Sequence, residues 1–459
     1  MAKPALLTTL GLLTLDLVAI VVVFNAVGFI RGLSSPEHLI LAALAVPAAI
    51  IAVSIYLIEG YQTRTDMLSV DYTSQHSIAL TGAMLSTLLL TFVFLPGGYE
   101  LQGSRVVVAV SFLVLVPITL SYRRVFYQRA LGSRGQRSLV FLGDRVICTE
   151  FGEECTRMGM QQSLIFSVIG SGAAPSAASQ ENSPLRPFSE VLDEVKAGTI
   201  AVEAIILRES AREFSPEISQ RLIGLYFGGV PTYTLELFHQ VYWRKIPLYR
   251  LNQTWLFQEG FQIAREPAFE RLKRLTDIGL SALGLLLAAP LIALGALAVW
   301  LDDRGPVFFF QQRVGKNHAT FPLVKLRTMR VEPEDGDLYT RTDDPRITRV
   351  GSFLRTSRLD ELPQLWNVLR GDMSLIGPRA EWDRLVEKYE REIPCYHFRH
   401  LVKPGITGWA QVNYPYGASL EDTIRKLEYD LYYIRHFSFR LDATIVLKTI
   451  HIMIFGKGR

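Results

Sequence analysis

The run Leu275-Thr-Asp-Ile-Gly-Leu-Ser-Ala-Leu-Gly-Leu-Leu-Leu-Ala-Ala-Pro-Leu-Ile-Ala-Leu-Gly-Ala-Leu-Ala-Val-Trp-Leu301 decides how this chain is laid out. It exceeds the ~20 residues that a hydrocarbon core requires. A full crossing would therefore carry everything downstream to the opposite face of a membrane. Basic residues flank both ends, Arg271, Lys273 and Arg274 before the run and Arg304, Arg313 and Lys316 after it. Since Lys and Arg are kept on the cytoplasmic side, this symmetry favours both ends on that face. Pro290, near the middle, removes a backbone donor and permits a bend. A re-entrant hairpin dipping into one leaflet is expected, and a plain fifth span with the C-terminal region outside is the alternative.

Toward the N-terminus lie four more apolar runs, Leu6 to Ile30, Leu39 to Ile58, Ser77 to Leu95 and Val106 to Leu120. Each is near a spanning length, and four spans return the chain to its starting side. The basic segment Arg123 to Arg137 directly follows, so the charge rule puts Lys3 and everything after Leu120 in the cytoplasm. The first run carries Asp16 and Asn25, lacks a small-residue cleavage site and reads as a retained span. Asp16 marks either a functional relay or a polar contact facing the bundle. The composition agrees: 459 residues are 49% hydrophobic and only 20% charged, with a mean hydropathy of +0.21, as in a membrane protein with a substantial soluble part. A net charge of +4 with basic residues clustered beside apolar runs excludes a nucleic-acid footprint. Cys148, Cys155 and Cys395 are far apart, with no CxxC or Cys/His cluster, so neither a zinc site nor a disulfide framework is implied.

From Ser138 the pattern changes to short apolar strands separated by amphipathic stretches: Ser138-Leu-Val-Phe-Leu-Gly143, Leu164-Ile-Phe-Ser-Val-Ile-Gly170 and Val202-Glu-Ala-Ile-Ile-Leu207. This predicts a Rossmann-like α/β module. Its first turn has the single Gly143 where a dinucleotide fingerprint needs three glycines, which favours a structural, regulatory or dimerising role over cofactor binding. Ser171 to Pro187, rich in Ser, Ala and Pro, reads as an exposed loop. Leu441 to Phe455 reads as an interfacial or core helix.

Chemistry concentrates in Ser357-Arg-Leu-Asp-Glu-Leu-Pro-Gln-Leu-Trp-Asn-Val-Leu-Arg-Gly371. Leu362, Leu365, Trp366 and Leu369 repeat at helical spacing, Pro363 suits a first turn, and Gly371 supplies a stop. Asp360 and Glu361 then sit at the positive end of a short amphipathic helix, either as ordinary caps or as working carboxylates. Upstream, Phe308-Phe-Phe-Gln-Gln-Arg-Val-Gly-Lys316 and Val324-Lys-Leu-Arg-Thr-Met329 supply Arg313, Lys316, Lys325 and Arg327. Downstream comes Gly371-Asp-Met-Ser-Leu-Ile-Gly-Pro-Arg379. Cations alternating with β-type apolar residues suit diphosphates held by Arg forks, a Lys charge and a metal.

These motifs, with Leu354-Arg355 and Lys403-Pro-Gly-Ile-Thr-Gly-Trp-Ala-Gln-Val-Asn413, closely resemble the bacterial polyprenyl-phosphate sugar-phosphate transferases, the large phosphoglycosyl transferases that initiate exopolysaccharide and O-antigen assembly. The resemblance covers about Phe269 to the C-terminus. Tyr414-Pro-Tyr-Gly-Ala-Ser419 and Phe455-Gly-Lys-Gly are similar to the branch linked to exosortase-type exopolysaccharide loci. The chain departs from the family in reading Pro378-Arg-Ala380 for Pro-Arg-Pro and Arg358 for a Ser.

The resemblance implies a ping-pong reaction on the cytoplasmic leaflet of the inner membrane, in which Asp360 attacks a UDP-hexose, expels UMP and passes hexose-1-phosphate to polyprenyl phosphate. Glu361 would orient a metal or accept a proton. Mg²⁺ would be held through Asp360, and Lys325, Arg355 and Arg379 would steady phosphates, with Thr328 and Gln364 as weaker candidates. UDP-glucose and UDP-galactose are the leading donors. The resulting expectation is a four-helix transmembrane bundle over 1–122, a Rossmann-like cytoplasmic module over 137–250 offering a homodimer surface, and a monotopic α/β catalytic domain over 268–459 with its re-entrant helix at 275–301. A membrane-tethered NAD-dependent nucleotide-sugar dehydratase or epimerase, and a non-catalytic membrane scaffold, are the competing readings.

Overall fold

A computed structural model describes residues 2–62, 65–134, 137–160, 162–169, 185–208, 214–248, 267–330, 344, 346–414, 417 and 419–455. Most of the expected loop at 171–187, part of the 414–419 motif and the final four residues lie outside these. The chain divides into two compact units, Met1–Trp243 and Arg244–Arg459.

The first unit opens with four helices, α1 (Ala2–Ile30), α2 (Ala45–Leu57), α3 (Val70–Leu89) and α4 (Arg105–Arg134). Thr8–Ile30, Val70–Phe94 and Arg105–Arg129 are each long and apolar enough to cross a membrane. The second expected span is shorter than read. Its apolar helical stretch covers only Ala42–Leu57, about 24 Å at 1.5 Å per residue. It is cut short by non-helical backbone at Leu41 and a positive φ at Glu59. Asp16 is settled as a bundle-facing contact: it pairs with Arg123 at 2.6 Å, both side chains almost fully buried, and accepts hydrogen bonds from Tyr61 at 2.7 Å and from Tyr122. An intramembrane charge costs least when paired and hydrogen-bonded in this way.

The unit continues with β1 (Ser138–Leu142), α5 (Arg145–Arg157), β2 (Ser163–Val168), β3 (Arg186–Pro187), α6 (Phe188–Ala197), β4 (Val202–Leu207), α7 (Pro216–Phe227), β5 (Thr232–Thr234) and α8 (Leu235–Phe238). The strands form one sheet in the order β3-β2-β1-β4-β5, parallel throughout. Side chains alternate across it. Val140, Leu142, Ile205 and Leu207 pack with Phe188, Val191 and Leu222, while Leu139, Phe141, Ala204 and Ile206 pack with Phe151, Phe238 and Trp243. Both faces are covered, which is why the strands read as unbroken apolar runs. Gly143 leads into α5, whose N-cap Asp144 accepts from the Ile147 amide at 3.0 Å.

The second unit contains α9 (Pro267–Asp303), β6 (Phe308–Val314), β7 (Thr320–Leu326), α10 (Arg349–Thr356), α11 (Gln364–Arg370), β8 (Ser374–Ile376), α12 (Asp383–Glu392), β9 (Gly405–Thr407), α13 (Trp409–Asn413), α14 (Leu420–Arg435) and α15 (Phe439–Phe455). Its core gathers Leu385, Val386, Tyr389, Tyr396, Trp409, Leu431, Tyr433 and Ile445. Strands β6 and β7 form an antiparallel hairpin, and β8 pairs with β9 in parallel.

Helix α9 runs without interruption through Pro290, so the chain is not broken into the hairpin expected there. Its outer surface is strongly apolar, with Leu280, Leu283, Leu286, Leu287, Leu294 and Leu297 exposed. Yet it is fastened at both ends to the same body. Lys273 pairs with Asp442 at 2.6 Å. Arg274 donates to the carbonyl oxygens of Val368 and Leu369. Asp277 accepts from the Ser374 hydroxyl and the Leu375 amide, each at 3.1 Å. At the other end Asp303 accepts both guanidinium nitrogens of Arg327.

Candidate active site

The β6–β7 hairpin builds the floor of the site by simple alternation. In its register Arg313 faces Phe321 and Phe309 faces Lys325. Directly paired residues share a face, and every second residue of a strand returns to it. Phe321 and Leu323 thus pack on Val368 and Met373, and Lys325 follows them onto the same side. Arg313, Leu323, Lys325, Gln364, Met373, Arg379, Ala380 and Gly405 line one small cavity of about 10 Å³, room for about one water.

The roof is the turn after α10. Thr348 caps α10 by accepting from the Gly351 amide at 2.9 Å. The chain then reverses through Arg358, whose φ of 60° is left-handed. Asp360 and Glu361 occupy the one-turn 3₁₀ segment Leu359–Glu361 that follows. This corrects the expectation that they open the next helix: α11 starts only at Gln364, with Pro363 as its N-cap. Leu362 and Pro363 are right-handed, so the turn runs on into α11, and it is the side chains around each carboxylate that distinguish the two.

Two neighbouring carboxylates receive different treatment. Glu361 has three cations around it, Arg379 at 3.6 Å, Arg358 at 3.7 Å and Lys325 at 3.9 Å. Burial alone would push Glu361 up, but Arg379, Lys325 and Arg358 together hold it below the usual carboxylate range. Asp360 is buried, 7% exposed, and among the described residues no cation comes within ion-pair distance of it. Burial and the neighbouring Glu361 charge raise Asp360, with Lys325 and Arg355 opposing. Lys325 is pulled down to about 8, mainly by burial, with Arg379 and Arg313 adding to the drop and Glu361 and Asp360 resisting it. Arg313, also buried, falls to about 10 and donates to the Ala380 carbonyl at 2.9 Å.

Of the residues singled out in the sequence, Lys325, Arg379, Arg313 and Gln364 line this cavity; Glu361 reaches it through its ion pairs with Lys325 and Arg379, and Asp360 stands next to Glu361 in the chain. Arg355 stands behind it, donating through Nε to the Thr328 hydroxyl at 2.9 Å. Arg327 and Lys316 are engaged elsewhere. Arg327 clamps Asp303 and donates to the Pro306 carbonyl at 2.6 Å, and Lys316 pairs with Glu270.

Two contributors escaped the sequence reading. Arg358, noted there only as a departure, joins the shell of Glu361. Asn367, fully buried, accepts from the Val324 amide at 3.0 Å and donates to the Pro322 carbonyl at 2.8 Å, which fixes α11 to β7. Its signal was an amide set between Trp366 and Val368 in the middle of a short apolar run.

The comparison with known proteins now bears on this geometry. Residues 268–456 match the family model described as bacterial sugar transferase. The exopolysaccharide production protein of Rhizobium leguminosarum bv. phaseoli is 41% identical over 195 residues, which are 41% of this chain and 98% of that relative. The chain belongs to the bacterial sugar transferase family. The UDP-glucose:undecaprenyl-phosphate glucose-1-phosphate transferase of Escherichia coli (strain K12) is 46% identical over 182 residues, 39% of each chain. The UDP-N-acetylgalactosamine-undecaprenyl-phosphate N-acetylgalactosaminephosphotransferase of Aeromonas hydrophila is 37% identical over 269 residues, 58% of this chain and 63% of that one. The match thus spans less than two thirds of these last two relatives. The sugar transferase region contains every residue of the site described above.

Proposed function

We propose that the chain moves hexose-1-phosphate from a UDP-hexose to polyprenyl phosphate, releasing UMP, at the cytoplasmic face of a bacterial inner membrane, as the opening step of exopolysaccharide assembly. One observation carries this reading: of two adjacent carboxylates, the half-buried Glu361 is wrapped in cations and the buried Asp360 has none within pairing distance. A carboxylate with no cation in pairing distance, beside a cavity lined by Lys325, Arg379 and Arg313, suits a nucleophile that meets a diphosphate. An Asp360 oxygen would attack the phosphorus next to the sugar. The bond from that phosphorus to the bridging oxygen breaks, and UMP departs with the electron pair. An oxygen of the acceptor phosphate then attacks the same phosphorus, and the aspartyl carboxylate leaves unchanged. Lys325 and Arg379 balance the phosphate charge in both halves, and Glu361 holds those cations in place. Asp360 is also the residue that would hold Mg²⁺, since a buried carboxylate lacking a counter-charge fits a hard cation. When bound, the ion screens repulsion between carboxylate and diphosphate.

The acceptor is lipid-borne, and the unit's surface suits that. The stripe Leu280 to Leu297 on α9 is exposed together with Trp366, Phe308, Phe310 and Phe353, an apolar area far larger than a soluble monomer tolerates. A helix tied to one body at Asp277 and again at Asp303 supports a re-entrant insertion in preference to a crossing. The parallel strand order β3-β2-β1-β4-β5 likewise supports a Rossmann-like reading of the middle module.

Purified membranes supplied with a panel of UDP-sugars, Mg²⁺ and polyprenyl phosphate should release UMP with one donor. Asp360→Asn should abolish that release while the protein stays folded. UMP release by the Asn variant at the native rate would end the proposal.

A further inference from the structure

Away from the cavity, three side chains from three separate elements converge: His318 in the turn between β6 and β7, Glu390 on α12, and His400 in the 3₁₀ segment Tyr396–Leu401. Their ligating atoms all lie within 4.8 Å of one another. His318 Nδ1 is 3.5 Å and His400 Nε2 4.0 Å from the same Glu390 oxygen, and the two imidazoles are 4.8 Å apart. Among the described residues no other group of three His, Cys, Asp or Glu side chains meets so closely.

A second, independent observation concerns His400. It is 5% exposed, and its Nε2 is buried without any hydrogen-bond partner. The Gly315 backbone lies beside the ring; an acceptor on Nδ1 would turn the lone pair of the unpartnered Nε2 toward Glu390, 4.0 Å away. Orienting an imidazole through its far nitrogen is how proteins prepare a metal ligand. The neighbouring positive charge, Arg399, is turned away and paired with Asp430 at 3.0 Å.

We propose that His318, Glu390 and His400 form a binding site for one divalent transition metal of the Zn²⁺ class, with solvent completing the shell. Two imidazoles and a carboxylate are a recurrent Zn²⁺ donor set, whereas Mg²⁺ prefers oxygen alone. At metal–ligand distances of about 2.0–2.1 Å, tetrahedral donors stand about 3.4 Å apart. The present spacing thus needs only small side-chain rotations. The ion would pin the tip of the β6–β7 hairpin, which carries Arg313 and Lys325, to the segment that carries Arg399. No cysteine takes part, so cysteine spacing could not reveal the site.

The test uses the full chain in detergent, stripped with EDTA and titrated with Co²⁺ while visible ligand-field absorption is followed. Zn²⁺ is then used to displace the Co²⁺. The native chain should take up one equivalent with the intense bands of a four-coordinate site, and Mg²⁺ should not compete. His318→Ala, at a half-exposed position and checked for a native unfolding midpoint, should weaken binding by at least about tenfold. His318→Cys should restore it with an added sulfur charge-transfer band, and Asp360→Asn should bind as the native chain does. Absence of uptake by the native chain would overturn the proposal, as would native affinity in His318→Ala or loss of binding in Asp360→Asn.

Discussion

Asp360 and Glu361 are chemically alike and adjacent, yet their surroundings assign them different work. Replacing each by its amide separates the roles. Asp360→Asn removes the proposed nucleophile and is expected to lower UMP release by about 10³-fold or more. Glu361→Gln leaves the nucleophile but frees Arg379, Arg358 and Lys325, and is expected to act mainly on donor KM. Steady-state kinetics on both variants decides between them, and equal losses in kcat would contradict the division. On the proposed mechanism, Lys325 is expected to set the alkaline side of the pH profile. Its cationic form is the one that faces phosphate, and with its pKa pulled to about 8 that charge is lost as pH rises through this value. Asp360 must be ionised, and its raised pKa brings the acid limb closer to neutrality. Lys325→Arg should carry the alkaline limb upward without moving the acid one, as measured by kcat/KM against pH. The dyad and its principal cations were legible in the sequence because their motif is dense in charge. Lys316 and Arg327 show where that reading stops. Alternation assigns faces only inside a strand, and both residues lie just beyond one, Lys316 past β6 and Arg327 past β7, where other partners capture them.

At the scale of elements, α11 inverts the ordinary pattern of a surface helix. Val368 and the polar Gln364 and Asn367 point inward, while Trp366 is 53% exposed. Periodicity located this helix correctly, but periodicity alone cannot tell an apolar stripe facing a core from one facing lipid. Asn367→Ala would strand the Val324 amide and the Pro322 carbonyl. A loss of about 1–3 kcal/mol in stability is expected, read by thermal unfolding in detergent. The β8–β9 crossing depends on close backbone approach. A Cβ at Gly405 would lie 2.0 Å from the Gly377 nitrogen, so Gly405→Ala is expected to cost at least about 1–3 kcal/mol and to displace Arg379, which bridges Gly405. An unchanged unfolding midpoint would contradict this. Such contacts are invisible in sequence, where Lys403-Pro-Gly-Ile-Thr-Gly reads only as a turn-rich loop.

At the scale of the whole molecule, the question is on which side of the membrane the sugar transferase region stands. Single cysteines placed at exposed Arg271 and Arg304, in a background lacking Cys148, Cys155 and Cys395, should both react with an impermeant maleimide from the cytoplasmic side. Labelling from opposite sides would replace the re-entrant reading with a true span. The front of the chain was legible as apolar helices because hydropathy reports length well. The short second helix was not, since its limits are set by backbone at Leu41 and Glu59. Helix α9, anchored near residue 277 and again at 303, also has a mechanical consequence. It cannot slide along its axis or be drawn out of the bilayer piecemeal, because movement at one anchor loads the other. A pulling force on the second unit should therefore yield one cooperative rupture, with helix extraction and loss of the fold occurring together.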